Sequence, residues 1–274
     1  MFAGAGRGQR HGHMLVIGQR VVDGLDVGVG QHCGNCGAAN QQCQNAAMHN
    51  TPWHPNAPQP AVTQANKPRA APILQLLGVR FSLPERVLFE NWSVDIAAGL
   101  TLVRGADGSG KTTMLAMLAG DVPPAAGELT LKGVSLSTDP EAYHRQVFRA
   151  DPRADTHDAM PVAHLFRAVE ALHPGFSTTD LADLVAGFAL QEHVGKSLSM
   201  LSTGTRRKVL LAAALASGAA LTLLDEPFAA LDRPSINFLH EALTDAAHHP
   251  SRAFVIADHE APAGMPLAAC IDLA

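Results

Sequence analysis

The sequence has no run of about 18 consecutive apolar residues, the length that a membrane-spanning helix needs, so we expect no segment to span a bilayer. Basic residues are also few: 20 Lys and Arg against 25 Asp and Glu give a net charge of −5. That balance argues against a polyanion-binding surface over the whole protein, and no nucleic acid partner is expected. The N-terminal apolar stretch "MLVIG" is too short for the core of a signal peptide, which favours a cytoplasmic protein.

Cysteine is scarce as well, and its few positions are clustered. Three of the four cysteines are Cys33, Cys36 and Cys43, with His32 and His49 nearby. A CxxC pair with extra Cys and His residues could bind zinc, but no second paired half follows at a zinc-finger spacing. Reduced, unliganded cysteines in a disordered tail are the favoured interpretation. A third alternative is that this segment lies upstream of the true start.

The composition changes near residue 70. Residues 1–70 are rich in Gly, Gln, Asn, His, Pro and Ala, and residues 50–72 form a Pro-rich stretch typical of an extended linker. We therefore predict a disordered N-terminal extension, residues 1–72, ahead of a folded domain, residues 73–274. Deleting the extension is expected to leave nucleotide binding and the thermal midpoint nearly unchanged.

One glycine-rich stretch, "GADGSGKTT", lies between an apolar run suited to a buried strand and a run with helical apolar spacing. Gly105, Gly110, Lys111 and Thr112 meet the pattern G-x-x-x-x-G-K-[ST]. In that pattern glycines let backbone N–H groups surround phosphates, the lysine reaches the β- and γ-phosphates, and the threonine hydroxyl binds Mg²⁺. By itself the loop predicts only a nucleotide phosphate site.

A second acidic site lies downstream, where the buried-strand run "ALTLL" ends in Asp225 and Glu226. Beside a phosphate loop, one such carboxylate holds Mg²⁺ and the other polarises an attacking water. Between the two sites, Ser202 and Gly204 of "LSTG" precede a basic helix. They form either an ordinary helix cap or a second phosphate-binding element that caps the nucleotide held by a partner chain.

Short strands alternate with helical stretches from residue 73 onward, which indicates an α/β fold. Residues 73–150 and 219–274 are predicted to form the nucleotide-binding core. Residues 152–217 are predicted to form a helical subdomain, with apolar residues at helical steps in 162–172 and 179–190. The fold class is therefore α/β, a P-loop NTPase core with a helical subdomain, preceded by the disordered extension.

The order of the phosphate loop, "LSTG", "LLDEP", "ALD" and a late histidine resembles the ATP-binding cassette (ABC) ATPases over residues 73–274. The resemblance implies that ATP phosphates and Mg²⁺ are bound by Gly105, Gly108, Ser109, Gly110, Lys111, Thr112 and Thr113. It implies Asp225 as the Mg²⁺ aspartate and Glu226 as the general base. It also implies roles for residues outside the loop. Ser202 and Gly204 would contact the γ-phosphate across a dimer, and Asp232 would link the two sites. His259 would sense the γ-phosphate, and Phe81 would stack on adenine. For Phe81, a place in the core is the competing interpretation.

The resemblance further implies a homodimer, or a pairing with a second cassette, that powers transport through separate transmembrane permease subunits. The chain would then lie on the cytoplasmic face of the inner membrane. Two alternatives are a soluble non-transport ABC ATPase acting on ribosomes or nucleic acid, and a weakly active degenerate cassette. "RVLF" and "DEPFAALD" are also similar to the haem-exporter ATPase subunit of cytochrome c maturation.

Three positions depart from the family pattern. The signature reads "LSTGT" where the family has "LSGGQ", so that Thr203 and Thr205 replace a glycine and a glutamine. Asp107 occupies a phosphate-loop position that is usually asparagine or serine, which adds a negative charge beside the phosphates. Asp151 stands where the Q-loop glutamine is expected, which bears on coupling to a membrane partner and not on nucleotide binding.

Overall fold

The structure is a computed structural model of the chain. It describes residues 14–16, 21–23, 60–64, 71–83, 86–151, 158–260 and 264–273. The strands are β1 (Met14–Val16), β2 (Val21–Asp23), β3 (Ala61–Gln64), β4 (Leu74–Leu83), β5 (Arg86–Ile96), β6 (Gly99–Arg104), β7 (Ala126–Leu131), β8 (Val134–Ser135), β9 (Val147–Ala150), β10 (Leu221–Asp225), β11 (Ala253–Asp258) and β12 (Ala269–Asp272). The helices are α1 (Lys111–Ala119), α2 (Pro140–His144), α3 (Val162–Leu172), α4 (Thr178–Gly187), α5 (Thr203–Ala216) and α6 (Arg233–Ala247).

The central sheet has the strand order β3-β12-β6-β11-β10-β9, and all of its neighbouring pairs except β12 with β3 are parallel. All five residues of β10 are buried, as are the first five of β6 and of β11, because parallel strands are covered on both faces. Their carboxyl ends therefore meet at one edge of the sheet, and β6 and β10 end there at Arg104 and Asp225. Ligands of open α/β sheets bind at that edge.

A second, antiparallel sheet has the order β5-β4-β7-β8 and packs its aromatic side chains into the main hydrophobic core. The rings of Phe89 and Trp92 stack with centroids 4.7 Å apart. No helix among the described residues is long and apolar enough to cross a membrane.

The helix predicted at 162–172 is confirmed by α3, which has the same bounds. The one predicted at 179–190 corresponds to α4, which begins one residue earlier and ends at Gly187. Ser177 caps α4 by accepting a hydrogen bond from the backbone N–H of Asp180. The division of the chain at residue 72 and the limits of a helical subdomain stay predictions.

Part of the extension that the sequence predicts to be disordered has regular structure. Its residues 61–64 form β3, which pairs antiparallel with β12 in the register Val62 to Ile271. Val62 is half-buried and packs against the main core. A strand forms here because β12 would otherwise present an unpaired row of backbone groups at the sheet edge. The cysteines and histidines of the zinc alternative lie outside the described residues.

Removing β3 is expected to cost stability, in contrast to the expectation from the sequence that residues 1–70 are dispensable for the thermal midpoint. Partial burial of the Val62 side chain stabilises the fold by about 1 kcal/mol, which corresponds to about 2–4 °C in a domain of this size. The measurement is the melting temperature of a chain that lacks residues 1–70. It is compared with that of a chain that lacks residues 1–59 and therefore keeps β3. Equal melting temperatures would contradict this contribution.

Candidate functional site

The glycine loop joins the end of β6 to the start of α1. A Cβ atom on Gly105 would overlap the Ser109 hydroxyl, and one on Gly110, whose φ is +101°, would lie 2.8 Å from a methyl carbon of Leu88. Larger residues are thus excluded at both ends of the loop. Gly110 is the N-cap residue of α1 and, as a glycine, makes no side-chain hydrogen bond to the amides of the first helical turn. A helix N-terminus of this kind attracts anions.

Lys111 is the first residue of α1, and its side chain bends back over the loop. Its ammonium donates hydrogen bonds to the carbonyls of Gly105 and Ala106 at 2.8 and 3.0 Å, and the residue is only 6% exposed. A buried positive charge that is held by two neutral carbonyls can transfer its hydrogen bonds to phosphate oxygens, which are stronger acceptors. Ser109 is buried beside it and Thr113 is half-buried.

The structure brings the loop and the strand-end acid into direct contact. The Thr112 hydroxyl donates a hydrogen bond of 2.7 Å to a carboxylate oxygen of Asp225, the last residue of β10. Asp225 is 8% exposed. A hydroxyl and a carboxylate oxygen at this spacing are the ligand types that Mg²⁺ prefers, so these two residues fit a magnesium site.

Glu226 follows Asp225 and lies with Asp107 and His259 in one cluster, in which one polar side-chain atom of each residue is within 4.8 Å of those of the others. The His259 Nε2 is 3.1 Å from a carboxylate oxygen of Asp107. Asp107 is 90% exposed and His259 51%, so both side chains can move when a ligand arrives. Asp258 is next to His259, and burial raises its pKa, with a further contribution from the negative charge of Glu226.

The position of Asp107 leads to a prediction for this unusual phosphate-loop residue. Asp107→Asn removes a negative charge beside the phosphate site, so the KM for ATP should fall about two- to fivefold. Two unit charges about 4 Å apart in water interact by about 1 kcal/mol, which sets that range. The measurement is steady-state ATPase activity at low and high salt, and the difference should shrink as salt screens the charge. Glu241→Gln on the exposed face of α6 is the control, and an unchanged or higher KM for Asp107→Asn would refute the prediction.

The "LSTGT" segment begins α5, and in the single chain Ser202 acts as an ordinary helix cap. Its hydroxyl accepts a hydrogen bond from the backbone N–H of Thr205 at 3.1 Å, while a Cβ on Gly204 would lie 2.5 Å from the Ala230 carbonyl oxygen. The signature therefore packs closely on the loop that follows Glu226. This capping role is compatible with contact to a partner's nucleotide, because the hydroxyl lies at the exposed start of the helix.

Asp232 lies at the end of that loop and caps α6, accepting a hydrogen bond from the backbone N–H of Ser235 at 2.9 Å. Its other carboxylate oxygen is 2.5 Å from the Lys208 ammonium of α5. The hydrogen bond from Lys208, followed by those from Ser235, holds the pKa of Asp232 well below its usual range. Asp232 thus connects the signature helix to α6 within one chain.

Phe81 is not placed for adenine stacking in this structure. It is 3% exposed, belongs to the main core and lies with its ring centroid 6.3 Å from that of Phe89. The cause is the alternation of β4, in which Phe81 shares the inward face with Val79 while the strand pairs on both sides with β5 and β7. A ring with that burial cannot present its face to a purine, so the competing interpretation as a core phenylalanine agrees with the structure.

Asp151, at the Q-loop position, is held by an ion pair that the sequence did not reveal. Its carboxylate is 3.2 Å from the Arg149 guanidinium, which also contacts Asp121 at 2.8 Å. The side chains of Arg149 and Asp121 are 5% and 2% exposed. Buried charges are stable only when they are paired, and this network joins the end of α1 to the end of β9. The sequence signal that could have indicated this ion pair is Arg149, a charged residue within the otherwise apolar run "VFRA".

An anion-binding loop that faces a strand-end acid at the carboxyl edge of a parallel sheet is the architecture of P-loop nucleoside triphosphatases, and this chain has it. A model of the ABC transporter family matches residues 89–229. The chain belongs to the ABC transporter family, in which it is an ATP-binding, ATP-hydrolysing subunit.

Two relatives and one solved structure illustrate the likeness. The cytochrome c biogenesis ATP-binding export protein CcmA of Paramagnetospirillum magneticum is 34% identical over 66% of this chain and 84% of that protein. The protein of the same description from Hyphomonas neptunium is 32% identical over 74% of this chain and 97% of that protein. A dimeric ATP-binding cassette solved in a post-hydrolysis state with ADP and Pi is 18% identical, covers 68% of this chain and 88% of that chain, and has a TM-score of 0.57.

Proposed function

We propose that the chain hydrolyses ATP with Mg²⁺ in a head-to-tail dimer and powers export through separate permease subunits at the cytoplasmic face of the inner membrane. The observation that carries the proposal is the 2.7 Å hydrogen bond between Thr112 and Asp225, which joins the phosphate loop to the acidic strand end. The names of the two relatives, both ATP-binding export proteins of cytochrome c biogenesis, support export.

Thr112 and Asp225 would hold Mg²⁺, which supplies neutralisation of the charge on the phosphate oxygens. Lys111 would exchange its two carbonyl contacts for the β- and γ-phosphates. Glu226 would accept the proton of a water that attacks the γ-phosphorus while the bond between the β–γ bridging oxygen and that phosphorus breaks. The products are ADP and inorganic phosphate. His259 belongs to the same cluster as Glu226 and would contact the γ-phosphate.

A second chain would complete the site. Gly105, Gly108 and Gly110 with Lys111 hold the nucleotide of one cassette, while Ser202 and Gly204 of the other cassette would cap its γ-phosphate. The dimeric cassette with ADP and Pi supports this arrangement by its fold. The partner is either a second copy of this chain or another cassette.

The transport part of the proposal is tested by purification of the tagged chain from its native host in mild detergent. We expect a polytopic membrane protein to co-purify in about equal amount, because the proposed permease subunits would bind the cassette. Without detergent, the same chain should sediment with membranes. Co-purification of ribosomal RNA in place of a membrane protein would contradict transport and favour the non-transport alternative.

A further inference from the structure

Three consecutive basic residues lie in the first turns of α5, directly after the signature. Arg206 pairs with Asp158 at 2.5 Å, and Lys208 pairs with Asp232 at 2.5 Å. Arg207, between them, has a different kind of contact. Its guanidinium donates hydrogen bonds to two backbone carbonyls, that of Glu226 at 2.7 Å and that of Ala229 at 2.8 Å.

These two carbonyls bracket the turn that carries the proposed general base. The backbone N–H of Ala229 donates to the carbonyl of Glu226 at 3.1 Å, so that carbonyl accepts from both the turn and Arg207. At its other end, the N–H of Glu226 donates to the carbonyl of Ala257 in β11 at 2.8 Å. Both peptide groups of Glu226 are thus fixed, one by the sheet and the other by Arg207.

The turn needs such support because its backbone is strained. Glu226 has φ +44° and Ala230 has φ +59°, in the left-handed region that residues with a side chain rarely adopt. Strained backbone of this kind persists only where the surroundings hold it in place, and it is typical of functional sites. Arg207, in the neighbouring helix α5, stabilises the turn through its two hydrogen bonds.

Arg207 also differs from Arg206 and Lys208 in the charge of the groups that it contacts. Arg206 and Lys208 each pair with a carboxylate, whereas the contacts that the structure describes for Arg207 are to carbonyl oxygens. In the described part of the chain, its buried Nε has no hydrogen-bond partner. Both hydrogen bonds come from one guanidinium nitrogen, Nη1, so a single donor group holds both ends of the turn.

We propose that Arg207 is a positioning residue that sets the Glu226 carboxylate for proton transfer by holding the carbonyls of Glu226 and Ala229. The proposal rests on the proposed role of Glu226 as general base. Without Arg207 the turn relaxes from its strained conformation and the carboxylate moves relative to the attacking water. The phosphate-loop contacts of Lys111 and Thr112 are not touched, so ATP binding should persist.

The experiment compares Arg207→Gln and Arg207→Lys with a matched control, Arg252→Gln. Arg252 also donates to backbone carbonyls, those of Ala219 at 2.9 Å and Leu215 at 3.4 Å, but just before β10 begins, at the end opposite Asp225. ATPase kcat and KM, ATP affinity and the melting temperature are measured for each variant, below the lowest melting temperature. Where the melting temperatures of Arg207→Gln and Arg252→Gln fall by similar amounts, loss of stability alone should lower kcat in both variants alike.

We expect Arg207→Gln to lower kcat about 10–100-fold, the size of effect that a shift of about 1 Å in a catalytic group produces, with ATP affinity within about threefold of the original. Arg207→Lys should recover most of the rate, because an ammonium can donate to both carbonyls. Arg252→Gln should keep kcat within about twofold. Equal losses of kcat in Arg207→Gln and Arg252→Gln, or none in Arg207→Gln, would overturn the proposal.

A double-mutant cycle separates this proposal from the assignment of the base itself. If Arg207 acts through Glu226, adding Arg207→Gln to Glu226→Gln should not lower the residual rate further. A further fall by the same factor as in the original chain would show that Arg207 acts elsewhere and would overturn the proposal. If Glu226→Gln alone hydrolyses ATP at the original rate, the base assignment fails first, and Arg207 loses its role with it.

Discussion

Glu226→Gln should lower the kcat of ATP hydrolysis about 10²–10⁴-fold, the range by which a positioned general base accelerates a reaction. The amide keeps the size and shape of the carboxylate but cannot accept the proton of the attacking water. The backbone contacts of Glu226 to Ala257 and Arg207 do not involve the side chain, so the turn should keep its conformation. The measurement is phosphate release at saturating ATP and Mg²⁺.

ATP binding should survive this change, because the phosphate-loop contacts are unaltered. The control is Glu241→Gln, the same substitution on the exposed face of α6, which should have the kcat of the original chain. Hydrolysis by Glu226→Gln at the original rate would show that another group takes the proton.

Lys111→Ala should act at an earlier step and weaken ATP binding about 10–100-fold. Hydrogen bonds to charged groups contribute about 1.5–3 kcal/mol, and 1.4 kcal/mol corresponds to a factor of ten. The substitution also leaves the carbonyls of Gly105 and Ala106 without the donor that they have in this structure. The measurement is the dissociation constant of ATP by calorimetry, with the melting temperature recorded to confirm a folded chain.

Lys132→Ala is the matched control, since Lys132 is exposed in the turn between β7 and β8. It removes the same net charge without a contact to the loop. Unchanged ATP affinity in Lys111→Ala would refute the phosphate role of this lysine. The two major variants should therefore differ in kind, with Glu226→Gln defective in the reaction and Lys111→Ala defective in binding.

Local sequence patterns predicted much of the fold. The alternation of strands and helices, the glycine loop and the α3 helix all depend on residues that are close in sequence, and the structure has each of them. The strand β3 was missed because "AVTQ" is short and lies in a Pro-rich stretch. Its pairing with β12 depends on a sheet edge about 200 residues away, which no local pattern reveals.

In the candidate site, too, local motifs predict the residues, whereas contacts between distant segments are visible only in the structure. The identities of Lys111, Thr112 and Asp225 follow from motifs, and the structure adds that two of them touch. The contact of His259 with Asp107 and the hold of Arg207 on the Glu226 turn join segments that are distant in the chain. The burial of Phe81, by contrast, was available from the period-two alternation with Val79 in the strand that contains both.

The shared site of two chains is tested most directly by the ATP-induced dimer of Glu226→Gln in the presence of Mg²⁺. Ser202→Asp, added to that variant, keeps a residue that caps helices well but places a negative charge where a partner's γ-phosphate would lie. Ser177→Asp, at the cap of α4, is the matched control.

The measurement is the mass of each variant by light scattering at saturating ATP–Mg²⁺. The account predicts a dimer for Glu226→Gln alone and with Ser177→Asp, and a monomer when Ser202→Asp is added. A monomer for Glu226→Gln alone, or a dimer that persists with Ser202→Asp, would contradict a nucleotide site shared between two chains.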